Sequence, residues 1–118
     1  MAARAIMTTD TVPKESAYRV DGKDAFVVGG MAKGAGMIAP DMATMLVYIF
    51  TDAKLLQAEL QALVSALNER TFNCITVDGD CSTNDTLAIL ANGAADNPLI
   101  RKPGKAYEAF LAALHAVC

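Results

Sequence analysis

The sequence predicts one layered α/β (α+β) unit, and three observations carry that expectation. Met45 to Phe50 (MLVYIF) is a continuous apolar run, the signature of a buried strand. Leu56, Leu60, Leu63, Val64 and Leu67 recur at the i, i+4, i+7, i+8, i+11 spacing of one helix face. Tyr107, Phe110, Leu111 and Leu114 repeat that stripe near the end of the chain. Strand-like and helix-like segments alternate in groups, as in domains that lay helices on a sheet. With 118 residues the chain can bury one core but not two.

The elements follow in order. Ala5 to Thr11 mixes Ile6 and Met7 with three threonines, a strand-like composition that stops at Pro13. Antiparallel strands are expected at about 16–20 and 24–29, joined by a tight turn at Asp21-Gly22. Gly29, Gly30, Gly34 and Gly36 then make a backbone that can turn sharply or approach a ligand closely. After the strand at 45–50, Thr51-Asp52 are candidates to cap the leucine-rich helix. Phe72 to Val77 (FNCITV) reads as a strand. A short helix is expected over Asp85 to Ala91, capped by Ser82, Thr83 or Asn84 and stopped by Asn92-Gly93. Residues 93–104 read as a loop, and the last helix covers about 105–117.

Composition removes several function classes. The net charge is -3 and the ten Lys and Arg are scattered, so there is no basic stripe for nucleic acid. No apolar run approaches the roughly 18 to 20 residues that cross a bilayer, and MAARAIMTTD lacks the features of a signal peptide. A cytoplasmic protein without a membrane partner is expected. Cys74, Cys81 and Cys118 are odd in number and lack C-x-x-C spacing, which argues against a disulfide framework or a zinc site and for buried free thiols. His115 is the only histidine and sits near a helix end, leaving a histidine-dependent triad little to build on. The acidic run from Asp78 to Asp85 fails as a calcium loop: Thr83 stands where glycine is needed and Ile89 where a bidentate glutamate is needed. No metal is expected.

The chemistry concentrates in KGAGMIAPDMATML, Lys33 to Leu46, where Thr44 stands between a glycine-rich loop and the apolar strand. A threonine at a strand entrance usually serves structure. As a nucleophile it needs a base, and the nearest available one is its own α-amine, freed by cleaving the Ala43-Thr44 bond. That amine titrates near 7.7 to 8.0, so part of it is neutral around pH 7 to 8. Lys33 would elsewhere be read as a solvated lysine, and Thr9 and Thr11 as ordinary strand residues sharing one face.

Four ordered runs carry a resemblance: IMTTDTVPK (6–14), GGMAKGAGMIAPDMATML (29–46), FNCITVDGDCSTNDT (72–86) and LANGAA (90–95). Together they resemble the glutamate N-acetyltransferase, or ornithine acetyltransferase, family, the ArgJ proteins of arginine biosynthesis. The resemblance covers nearly the whole chain and a central portion of the family's length. It implies a part of the DmpA/ArgJ-like four-layer α/β/β/α sandwich with N-terminal-threonine autoprocessing. It also implies a precursor cut between Ala43 and Thr44, so that residues 1–43 end an α chain and 44–118 begin a β chain, the two remaining associated with the other α and β segments as a hetero-oligomer. Thr44 would take acetyl from N-acetylornithine, release ornithine and pass acetyl to glutamate. Some members also use acetyl-CoA as donor, and no bound cofactor is implied. Lys33 would bind a substrate carboxylate, and a threonine of the T-T-D-T run, Thr9 or Thr11, would line the substrate site. The family's oxyanion pair and a downstream glutamate have no counterpart in these residues. Cys81 departs from the family's usual threonine, an expected packing variation. A non-catalytic α/β module and a self-cleaving aminopeptidase are the alternatives.

Overall fold

The computed structural model describes residues 1–35, 45–75 and 84–118. The chain opens with a short helix α1 (Ala2–Ala5), followed by strands β1 (Lys14–Val20), β2 (Phe26–Lys33) and β3 (Leu46–Thr51). Helix α2 (Gln57–Asn68), a 3-10 turn at Phe72–Cys74, strand β4 (Thr86–Ala91) and helix α3 (Lys105–Val117) complete it. The sheet has the order β1-β2-β3-β4. Its first three strands are antiparallel neighbours, and β4 lies parallel to β3.

Register decides which residues share a face. Phe26 and Val28 lie on the same side as Val47, Ile49 and Thr51, and all five are buried. That side packs into one cluster with Leu60, Leu63 and Leu67 of α2 and Phe110 and Leu114 of α3. The Phe26 and Phe110 rings meet at 5.7 Å between centroids, tilted by 48°, a favourable aromatic geometry. Gly30 lies under the end of α3: a Cβ there would come within 2.8 Å of Val117 Cγ1. The opposite face presents Val27, Phe50 and Leu90 to solvent. Among the described residues, no helix is long and apolar enough to cross a membrane.

The expected hairpin, buried strand and two long helices are present, and the class is α/β as expected. Several local expectations are corrected. Residues 5–11 form no strand; α1 ends at Ala5, and Asp10 draws the following residues into a turn by accepting the Thr8 N–H at 3.5 Å. The hairpin turn is longer than Asp21-Gly22, because Val20 pairs with Phe26. Thr51 and Asp52 do not cap α2, whose N-cap is Leu56. Thr51 Oγ1 instead donates to the Val27 carbonyl at 2.7 Å, and Asp52 accepts the Val27 N–H at 2.8 Å. Leu56 accordingly falls outside the buried face.

Phe72–Cys74 curls into a 3-10 turn because Thr71, Asn73 and Cys74 bond back to the end of α2. Such local side-chain bonds compete with strand pairing; Thr76 and Val77, the end of that expected strand, lie outside the described residues. Residues 86–91 (TLAILA) have helix-favouring leucines and alanines, yet form β4. The open hydrogen-bonding edge of β3 decides this: all six residues of β4 pair with β3 in register, and tertiary pairing outweighs local propensity. The thiols are also corrected. Cys74 is exposed and Cys118 half-buried, where burial raises its thiol to about 11; Cys81 lies outside the described residues.

Candidate functional site

Strand β2 ends at Lys33, directly across the ladder from Leu46, the first residue of β3. Gly34 continues from it with φ +148° and lies against Met45, whose Cα would be 3.5 Å from a Cβ at that position. The end of β2 and the start of β3 are thus packed backbone to backbone. Thr44 and Ala43 lie outside the described residues, and Met45, bonded to Thr44, lies within them.

Lys33 is only 6% exposed. Its ammonium donates to Thr8 Oγ1 at 3.0 Å and pairs with no carboxylate among the described residues. Burying an ammonium whose one partner among the described residues is a neutral hydroxyl is costly, and such a group is ready to receive an anion. Thr8, not Thr9 or Thr11, is the threonine that reaches Lys33. All three threonines are exposed, and without a strand at 5–11 Thr9 and Thr11 share no strand face.

Thr8 is delivered by Asp10, whose side chain is fully buried. Asp10 Oδ1 accepts the Gly34 N–H at 2.9 Å and the Lys14 ammonium, so one carboxylate ties the T-T-D-T turn to both ends of the β1–β2 hairpin. Burial pushes the Asp10 carboxyl up. The hydrogen bonds from Lys14, Gly34 and Thr8 outweigh it and lower the group from 3.8 to about 2. Asp10 is therefore ionised at neutral pH and serves as an anchor.

On the other side, Asp85 Oδ1 accepts the Met45 N–H at 2.9 Å, and the Thr86 N–H donates to the Met45 carbonyl at 3.0 Å. Sequence reasoning did not single out Thr8, Asp10 or Asp85 for the site. Their partners lie 24 to 40 positions away, and only the pairing of strands shows them together. A separate cavity of about 200 Å³, lined by Asp24, Phe26, Asn97, Ile100 and Lys105 among others, lies at the far end of the eight-residue β2, about 25 Å from Lys33 at strand spacing. Among the described residues, no group of His, Cys, Asp and Glu side chains could hold a metal ion.

The sequence profile described as the ArgJ family matches residues 1–118. The arginine biosynthesis bifunctional protein ArgJ of Ruegeria pomeroyi is 58% identical over 118 residues, covering 98% of this chain and 28% of that protein. The protein of the same name from Symbiobacterium thermophilum is 52% identical over 117 residues, covering 98% of this chain and 29% of that protein. The chain thus spans less than a third of the length of these relatives. The crystal structure of ArgJ from Bacillus halodurans superposes with a TM-score of 0.59 at 42% identity, covering 61% of this chain and 34% of that one. With its profile matched from end to end, the chain belongs to the ArgJ family.

Proposed function

We propose that these residues form the centre of a self-processing acetyltransferase of arginine biosynthesis, moving acetyl from N-acetylornithine to glutamate with Thr44 as nucleophile. The observation that supports it best is Lys33: a buried ammonium with one neutral partner among the described residues, set across the ladder from the strand that Thr44 precedes. Both substrates carry an α-carboxylate, and a buried lysine strengthens an ionic hydrogen bond to it. Thr8 is the threonine we place beside that carboxylate, in the role expected of Thr9 or Thr11.

In processing, Thr44 Oγ attacks the Ala43 carbonyl. The C–N bond breaks as the ester forms, and the nitrogen takes up a proton. Water then cleaves the ester, leaving the Ala43 carboxylate and a free Thr44 amine. In turnover that amine takes the hydroxyl proton as Oγ attacks the acetyl carbonyl, and returns it to the departing ornithine amine. Glutamate's amine then attacks the acetyl-threonine ester, regenerating the hydroxyl. No resident cofactor takes part; acetyl-CoA would enter only as a substitute donor. The remaining α and β segments would supply the oxyanion donors, each worth about 10²- to 10³-fold in rate. We place the assembled enzyme in the cytoplasm.

The test is a chimera in which residues 1–118 replace the matching stretch of the Ruegeria pomeroyi relative. The expected products are a chain beginning Thr-Met-Leu-Val and acetyl exchange between N-acetylornithine and glutamate. Thr44→Ala should abolish both. An uncut, inert chimera would mean a non-catalytic module, and release of acetyl or amino acid to water alone would mean a hydrolase; either overturns the proposal.

A further inference from the structure

Met45 is held at both of its peptide groups. Its carbonyl accepts the Thr86 N–H, where the parallel ladder begins at Leu46 and Thr86. Its N–H is taken by a side chain, Asp85 Oδ1, at 2.9 Å. Bonds from an N–H to an ionised carboxylate are stronger than neutral ones. Among the described residues Asp85 is exposed and makes no ion pair.

The consequence follows from covalent geometry. A peptide unit is planar, and the plane containing the Met45 N–H also contains the Thr44 Cα. Fixing that N–H therefore fixes the plane of the peptide that enters Met45. A free chain end frays unless tied down, and in a chain starting at Thr44 this tie leaves one residue beyond it. Acyl transfer needs reacting atoms held about 3 to 3.5 Å apart, and a misplacement of about 1 Å can cost roughly 10²-fold.

We propose that Asp85 is a positioning residue for acyl transfer, aiming the hydroxyl and amine of Thr44 through the peptide between Thr44 and Met45. This rests on the reading of Thr44 as nucleophile. What the role requires of Asp85 is an acceptor at the place of Oδ1; its charge serves only to strengthen the bond.

In the chimera, Asp85→Ala is expected to lower kcat for acetyl exchange about 10- to 100-fold, with the KM of both amino acids within about threefold because Lys33 is untouched. Asp85→Asn, whose amide oxygen still accepts, should recover most of the rate. Should Asp85→Ala not fold, Asp85→Glu serves the same reading, since it moves the acceptor outward by one methylene and should lower kcat with KM held. An unchanged kcat in the Ala or Glu variant, or a loss in Asp85→Asn as large as in Asp85→Ala, overturns the inference while leaving the nucleophile intact. An inert parent chimera overturns both.

Discussion

The carboxylate of Asp10 binds the main-chain amide of Gly34 at 2.9 Å, joining two segments 24 positions apart. That bond closes the T-T-D-T turn onto the end of β2 and sets Thr8 over Lys33. Gly34 can supply the amide because it carries φ +148°, a conformation that side chains with a Cβ rarely adopt.

Asp10 should make stability depend on acid. Its folded-state value, about 2, lies below the ordinary 3.8. Its contribution is therefore complete above about pH 4 and is lost as pH falls toward 2. At pH 7 Asp10→Asn should cost about 1.5 to 3 kcal/mol, the range for hydrogen bonds to a charged group. Urea titrations of both forms between pH 2 and 7 should show the gap closing at the acid end. A gap independent of pH would contradict the assignment.

Gly30 should lose stability on gaining a Cβ while Val117 is present. Alanine there meets Val117 Cγ1 at 2.8 Å, and overpacking of this kind costs about 1 to 3 kcal/mol. Val117→Ala removes the obstructing methyls, so the double variant should be more stable than the sum of the single changes implies. Chemical denaturation of the four forms measures that coupling.

Lys33 should separate stability from binding. Lys33→Met removes a buried ammonium that has no anionic partner among the described residues, so the melting temperature should hold or rise. In the chimera the same change should raise the KM of glutamate and N-acetylornithine at least about tenfold, equivalent to about 1.4 kcal/mol of lost carboxylate binding. Calorimetry and steady-state kinetics report the two effects independently. A large drop in melting temperature with KM unaltered would make Lys33 a structural residue.

Elements governed by side-chain period were legible in the residues. Leu60, Leu63, Val64 and Leu67 bury one face of α2, and Tyr107, Phe110 and Leu114 bury one face of α3, because a stripe can be hidden only if the helix forms. The run through Phe50 became β3 for the same reason. Segments whose local bonds compete with pairing were misleading: residues 5–11 and 72–74 turn on their own Asp, Thr and Asn side chains. TLAILA misled in the opposite sense, since its leucines and alanines favour a helix and the free edge of β3 claims it as a strand.

By itself the sequence determined the α/β class, the two long helices, the hairpin and the Lys33 to Leu46 motif that carries the family resemblance, all of which depend on residues near one another in the chain. Tertiary structure alone decided that Thr8 reaches Lys33, that Asp10 binds Gly34 and that Asp85 holds Met45. Those contacts depend on which strands lie side by side and in what register, and register is set by burying one face of the whole sheet at once.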